Sequence, residues 1–278
     1  MYLLLLVSLI WAFSFGLTKQ LAGIDSTAIA TLRLVLALVV FLPFLRPAAV
    51  PTRTRWRLAG IGAVQFGLMY LLYQRSYVYL PAYAVVLFTL TTPLCLALLD
   101  ALAERRLHAR YLLAAALALL GSGVVCFNNP LQGGLLKGFW LIQLANLCFA
   151  AGQVAWRRER GRLPASTSSA SLFALPYAGA TFACALGSLL FTDWPAVHLT
   201  LPQWGILAYL GMISSGLCFF WWNVGASRVN AGTLAVFNNA KVPLGIACSL
   251  LFFGEHANLP RLLIGGALMV LGVWIAEK

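Results

Sequence analysis

The sequence predicts an all-α integral membrane protein of ten transmembrane helices, arranged as two inverted five-helix repeats. Three observations predict it. The composition has left the soluble range, apolar stretches of spanning length recur from end to end, and motifs of the first half return in the second.

Of 278 residues, 62% are hydrophobic and 9% charged. A soluble domain is about half apolar and about a quarter charged, so the expected solvent is lipid. A spanning helix needs roughly 17–25 apolar residues, and such stretches repeat along the whole chain. The polar connections between them are short and leave no room for a soluble domain. The first stretch, from Tyr2, lacks a basic leader and a small-residue cleavage site, so it is read as a span rather than a signal peptide.

The net charge is +12. In a chain of this composition its placement matters more than its sum, and no nucleic-acid partner is expected. Six cysteines (Cys95, Cys126, Cys148, Cys184, Cys218, Cys248) fall inside or at the ends of apolar segments, with no ligand or disulfide spacing. The three histidines, His108, His198 and His256, all lie in connections. No metal site and no cofactor are expected from this set.

The expected spans are approximately 2–22, 26–46, 56–80, 82–103, 109–127, 133–155, 170–191, 203–225, 232–253 and 260–276. Turn-forming residues separate them: Gly23 to Asp25, Pro47 to Pro51, Pro81, Asn128-Asn129-Pro130, Pro164, Pro195 with Pro202, and Pro260. One set of loops is basic, with Arg46, Arg53, Arg55 and Arg57, then Arg105, Arg106 and Arg110, then Arg157, Arg158, Arg160 and Arg162. The alternate loops hold Lys19, Lys137 and Arg261 together with Asp25 and Asp193. The basic loops, and with them both termini, are expected to face the cytoplasm.

The halves resemble each other. Pro93-Leu94 is followed by Glu104, Arg110 and Leu120-Gly121; Pro243-Leu244 is followed by Glu255, Arg261 and Leu271-Gly272. From each glutamate the arginine is six residues on and the glycine seventeen. Upstream, Trp11-Ala12 with Lys19 matches Phe149-Ala150 with Arg157. Repeats at 1–127 and 133–278 each hold five spans, an odd number, so the second enters the membrane upside down. Inverted repeats of this kind underlie alternating access around a midplane site in many secondary transporters. An old duplication kept only for packing is the plainer explanation.

With these motifs in order, and Trp11-Ala12-Phe13 opening the first span, the whole chain resembles the drug/metabolite transporter superfamily, EamA type. The resemblance implies export or exchange of small metabolites, often amino acids, through a central cavity between the halves. The superfamily also includes carriers of sugar phosphates, nucleotide sugars, choline and drugs. The expectation is a multi-pass carrier of the cytoplasmic (inner) membrane for amino acids or related carboxylates, with proton or counter-substrate coupling. Cationic or lipophilic drugs and organophosphates are the alternatives.

Lys241 is the leading candidate for substrate contact. It lies about ten residues into the ninth span, roughly 14 Å from its end. A charge at that depth costs at least ~2.5–3.5 kcal/mol, which a cavity, a partner or a bound anion must offset. Asn238 lies one turn earlier on the same face, and Pro243 comes two residues later. A structural lysine is the bland alternative. Arg33 sits about seven residues into the second span, near enough to the outer surface to snorkel, so structure and substrate contact are both open to it. On the sixth span Gln143, Asn146, Ala150, Gln153 and Arg157 share one helical face, which lines a cavity or bonds a neighbouring helix. Further cavity candidates are Trp11, Phe15 and Thr18, then Gln65, Met69 and Tyr73, then Phe219, Trp222 and Asn223. Aromatics among amides suit an amphipathic organic solute, although Trp and Tyr also populate interfacial belts. Glu104 and Glu255 fall at span ends and are read as structural bonds to neighbouring helix ends rather than as proton carriers. An enzyme would need a nucleophile with a base or clustered ligands, and Ser214-Ser215 has no base to assign. A channel would need rings of like residues or a filter loop, and neither is present.

Overall fold

The computed structural model describes residues 2–46, 50–103, 109–126, 134–164, 167–226, 228–229 and 231–277. Glu104, Arg105, Arg106, His108, the Asn128 to Pro130 turn, and the side chains of Arg110 and Asn238 lie outside the described residues. Ten helical rods succeed one another among the described residues, with no strand between them: α1 (Tyr2–Gln20), α2 (Ser26–Phe41), α3 (52–76), α4 (82–103), α5 (Ala109–Cys126), α6 (Leu135–Gly161), α7 (Ser169–Phe191), α8 (Leu201–Ala226), α9 (Ala231–Phe252) and α10 (Leu259–Glu277). Among the described residues, five helical segments are long and apolar enough to cross a membrane: Tyr2–Gln20, Ser26–Phe44, Leu135–Gly161, Ser169–Phe191 and Leu201–Ala226.

Local chemistry sets the boundaries. Asp25 caps α2 by accepting from the amides of Thr27 (3.0 Å) and Ala28 (2.8 Å), and it also accepts from Thr192 Oγ1 (2.7 Å) at the end of α7. Pro81 precedes α4, and Thr200 opens α8 with Gln203 Oε1 accepting from its amide at 2.9 Å. The third helix departs from expectation by starting and ending about a turn earlier. Pro51 serves as its N-cap, and the chain at 77–80 is a turn. The sixth helix runs to Gly161, six residues beyond expectation, because its basic end stays helical. Arg158 and Arg160 complement the helix dipole there, and Glu159 accepts from Arg57 (3.4 Å) and Arg162 (2.9 Å).

Two helices carry a wide π segment: 63–68 in α3 and 209–217 in α8. Each shifts the phase of the helical turns C-terminal to it. Helix α1 packs on α8 and α9, and α6 packs on α3 and α4. Helix α2 lies against α7 and α8, α3 lies against α7, and α5 pairs with α10. At that last crossing Gly121 and Gly265 meet, so that a Cβ on either would lie 2.5 Å from the other's carbonyl oxygen.

The radial arrangement is inside-out for a water-soluble bundle. Phe182 and Leu189 are 72% and 76% exposed, with Leu190, Leu251 and Leu263 comparably bare. Arg33, Gln65, Gln74, Asn146, Gln153, Ser215 and Lys241 are buried. An apolar exterior, with polar and charged side chains gathered inside a mainly apolar core, is the arrangement that lipid favours.

Candidate functional site

One interior cavity collects side chains from seven helices. It is lined by Trp11, Ser14 and Phe15 of α1, Arg33 of α2, and Met69, Tyr70 and Tyr73 of α3. Thr89 and Thr92 of α4, Ala145, Asn146 and Phe149 of α6, Ser214 and Phe219 of α8, and Lys241 of α9 complete it. Of the residues singled out in the sequence, Trp11, Phe15, Arg33, Met69, Tyr73, Asn146, Phe219 and Lys241 meet there. Gln65, Gln153, Trp222 and Asn223 are buried outside the lining.

The π segments account for part of that division. Gln65, Met69 and Tyr73 share a face in an unbroken α-helix, but the wide turn at 63–68 rotates the phase between Gln65 and Met69. Gln65 instead packs against Gly152 of α6, while Tyr70 joins Tyr73 on the cavity. On α8 the wide turn brings Ser214 onto the wall. Trp222 stands one layer back against Trp11, with ring centroids 5.3 Å apart, and Asn223 donates to the Phe219 carbonyl of its own helix at 2.8 Å. Gln65 Nε2, Gln153 Nε2 and Trp222 Nε1 are buried without a hydrogen-bond partner among the described residues.

Arg33 does not snorkel. It is 2% exposed, and neutral oxygens take all five of its N–H groups. Nε donates to Ser215 Oγ (3.2 Å), Nη1 to Thr18 Oγ1 (3.2 Å) and Gln74 Oε1 (3.0 Å), and Nη2 to Tyr70 OH (3.2 Å) and Ser215 Oγ (3.1 Å). Its Cζ lies 4.7 Å from the centroid of the Tyr70 ring. The Tyr70 hydroxyl and Ser215 Oγ are also bonded to each other at 2.7 Å, and Tyr177 OH donates to the carbonyls of Ser215 and Gly216. The guanidinium is therefore solvated by protein while its charge remains uncancelled, since no described salt bridge involves it.

Lys241 is 7% exposed, with Nζ 5.2 Å from the centroid of the Trp11 ring. Trp11 is held by its Nε1 donating to the Ser214 carbonyl at 2.9 Å and by its packing on Phe219 at 5.0 Å. Tyr73 is oriented by a 2.6 Å bond to the Tyr77 hydroxyl and an edge contact with Phe15. Asn146 donates to the Phe88 carbonyl and to Thr91 Oγ1, both at 3.0 Å. The described lining thus combines two cations, five aromatic rings with Tyr70 a sixth, and no carboxylate. Among the described residues no group of His, Cys, Asp or Glu could hold a metal. Sequence reasoning missed Ser14, Tyr70, Thr89, Thr92 and Ser214. The Thr89-Leu-Thr-Thr-Pro93 run was the available signal on α4, because successive threonines before a proline mark a bent, polar stretch within a span.

The EamA-like transporter family matches residues 1–127 and again 136–277. A "Probable biotin transporter" of Pseudomonas aeruginosa is 40% identical over 274 residues, covering 98% of this chain and 96% of its own. The "Biotin transporter" of Escherichia coli K12 is 36% identical over 281 residues, covering 100% and 93%, and that of Salmonella typhimurium matches to the same extent. One solved structure shares the fold with a TM-score of 0.66 at 22% identity, covering 98% of this chain and 96% of its own. With an apolar exterior, a central cavity that sets two buried cations among aromatic rings, and a family match over nearly every residue, the chain belongs to the EamA-like transporter family and is a membrane transporter rather than an enzyme.

Proposed function

We propose that this protein carries biotin, or a carboxylate built like it, across a bacterial cytoplasmic membrane. The observation that carries the reading is the charge of the cavity: Arg33 and Lys241 face it, and its described lining has no acid. Two positive charges held in a low-dielectric interior favour an anion in the same space and disfavour a cation. Because neutral partners take every N–H of Arg33, that residue acts as a fixed positive background. Lys241 is the group that meets the carboxylate, with Asn238 one turn before it. The apolar body of the substrate lies against Trp11, Phe15, Tyr73 and Phe149. Biotin has this form, a carboxylate on a short alkyl chain with a compact ring system at its other end. The P. aeruginosa and E. coli relatives, named for biotin, support that choice.

Amino acids, the narrower expectation from the sequence, form the second reading. Their ammonium group would enter a space with two like charges and no carboxylate, so the charge pattern favours a substrate without one. Cationic drugs meet the same objection more strongly. Organophosphates satisfy the charge but lack biotin's precedent among the relatives.

The transport cycle in this reading is alternating access between two inverted five-helix halves, 1–127 and 133–278, as ten spans with both termini cytoplasmic. The same family matches each half in turn. Exchanging α1 with α6, α2 with α7, α3 with α8, α4 with α9 and α5 with α10 turns the packing of α1 on α8 and α9 into that of α6 on α3 and α4, turns α2 on α8 into α7 on α3, and pairs the two π segments. The test is a thermal-unfolding screen of detergent-purified protein against biotin, amino acids, organophosphates and organic cations, then flux of labelled ligand in proteoliposomes. A ligand at 100 times its Kd stabilises the fold by ~2.7 kcal/mol. Stabilisation by biotin with flux in either direction supports the reading. Stabilisation by amino acids or cations alone overturns it, and the direction of net flux separates export from uptake.

A further inference from the structure

Several polar groups of the cavity wall can only accept. Asn146 Nδ2 lies 3.0 Å from the Phe88 carbonyl oxygen, which cannot donate, so the nitrogen rather than the oxygen must point there. The second N–H of that amide goes to Thr91 Oγ1, also at 3.0 Å. Thr91 Oγ1 lies 2.6 Å from Gln143 Oε1 and 3.0 Å from the Phe88 carbonyl oxygen and gives its one proton on that side, so it accepts from Asn146. Both Asn146 donors are therefore used, and Oδ1 is the polar atom that this lining residue has left, without a partner among the described residues.

The neighbouring hydroxyls share that polarity. Thr89 Oγ1 donates to the Val86 carbonyl (2.7 Å), Thr92 Oγ1 to the Thr89 carbonyl (2.7 Å), and Ser14 Oγ to the Trp11 carbonyl (2.8 Å). Each has given its only proton to its own helix and retains lone pairs alone. The tighter turn at Thr89–Thr91 places positions three apart on one line, so Thr89 and Thr92 present the same face. Asn146 reaches that stretch through its bonds to Phe88 and Thr91. Positive charge in the cavity is concentrated on Arg33 and Lys241; acceptors are concentrated where α4 meets α6.

We infer that Asn146, with Thr89 and Thr92, forms a subsite for the paired N–H donors of the substrate, and that these acceptors set specificity at the end of the molecule remote from its carboxylate. For biotin those donors are the two ureido N–H groups. The inference rests on the carboxylate reading above and extends it. A simple alkyl carboxylate satisfies Lys241 but leaves the acceptors of α4 and α6 desolvated with nothing to accept from, and a site built around a hydrogen bond rejects the analogue that lacks the donor. The subsite thus excludes fatty acids that the cations and aromatic rings alone would admit.

The experiment is competition against labelled biotin on the purified full chain, with five unlabelled competitors. These are biotin, desthiobiotin (ureido and carboxylate kept, sulfur absent), biotin methylated on its ureido nitrogens, biotin methyl ester, and octanoate. Desthiobiotin should compete within a few-fold of biotin, whereas ureido methylation and octanoate should lose about ten- to hundredfold or more. Asn146→Leu should weaken biotin by about tenfold or more while leaving N-methylated biotin unchanged, so that their ratio collapses. Thr89→Val with Thr92→Val preserves shape and gives the same readout if the leucine variant is unstable. Equal competition by N-methylated biotin in the wild type, or an unchanged ratio in both variants, overturns the subsite. The ester reports separately: if it competes as well as the acid while N-methylation still costs affinity, the carboxylate reading fails and the acceptor subsite stands. If none of the ureido compounds competes, both fall.

Discussion

Lys19 and Glu255 grip one turn from its two sides. Lys19 Nζ, at the end of α1, donates to the carbonyls of Tyr77 (2.8 Å) and Leu80 (2.9 Å). Glu255 accepts from the amides of Ala82 (2.7 Å) and Tyr83 (2.9 Å), the first residues of α4. The cation takes carbonyls of the turn that follows α3, and the anion takes the amides that start α4, the latter in the sense the helix dipole favours. Gly254, at φ +64°, makes the bend that presents Glu255. Three elements distant in sequence are thereby tied together at one end of the bundle. By the spacing of the sequence motifs, Arg157 corresponds to Lys19. It is exposed and has no hydrogen-bond partner among the described residues.

Removing the carboxylate should release the start of α4. In Glu255→Ala, amide hydrogen exchange at Ala82 and Tyr83 should accelerate by at least about tenfold, the equivalent of losing a charge-assisted hydrogen bond of ~1.5 kcal/mol. Exchange unchanged at those two amides would show that the carboxylate is not what protects them.

Arg33 supplies charge and geometry together, and two substitutions separate them. Lysine has three donors where the guanidinium uses five, so Arg33→Lys leaves part of the Thr18, Gln74, Tyr70 and Ser215 set unbonded. Arg33→Gln loses the charge as well. Both should destabilise the fold by about 2–4 kcal/mol, read as a lowered Tm. Biotin affinity should fall further in Arg33→Gln than in Arg33→Lys, because only lysine preserves the background charge. Equal affinity in both would mean that the charge of Arg33 does not act on the ligand.

The helices are legible in the sequence nearly segment by segment because each depends on a local signal, an apolar run closed by Pro, Gly or Asp. The cavity is legible where one uninterrupted helix carries the pattern, as with Trp11 and Phe15 on α1. It is hidden where the backbone changes pitch. Gln65 belongs with Met69 and Tyr73 only in a regular helix, and nothing in the run 63–68 announces a π turn. Depth alone places Arg33 near the surface, and depth is blind to four neutral partners drawn from three other helices. Thr89 and Thr92 escape notice because threonine is ordinary in apolar spans, and its polarity depends on where its single proton goes.

The crossing of α5 and α10 should tolerate no side chain. A Cβ at Gly121 would lie 2.5 Å from the Gly265 carbonyl oxygen, so Gly121→Ala must push the helices apart. It should cost about 1–3 kcal/mol, as overpacking does. Gly123, on the same helix, has nothing within 4 Å of an added Cβ. There the alanine should stabilise by up to about 1 kcal/mol through helix propensity. Opposite shifts in Tm for the two variants would place the constraint in the crossing, and equal shifts would remove it.

The assignment of Lys241 to the substrate carboxylate is tested by changing both partners. If the ammonium meets the carboxylate, wild-type protein should prefer biotin over its methyl ester by about ten- to hundredfold, a charged hydrogen bond of ~1.5–3 kcal/mol. Lys241→Ala should bind acid and ester alike, at about the affinity of wild type for the ester, because the ester never used the charge. Lys241→Arg should retain part of the preference, since the charge survives while its position beside the Trp11 ring changes. The comparison is a thermodynamic cycle, so a general loosening of the cavity lowers both affinities and leaves their ratio untouched. A preference for the acid that persists in Lys241→Ala would move the carboxylate to the other cation. Arg33 could bind it only by giving up one of its five present hydrogen bonds, and the Arg33→Lys and Arg33→Gln variants would then differ in the acid-to-ester ratio itself.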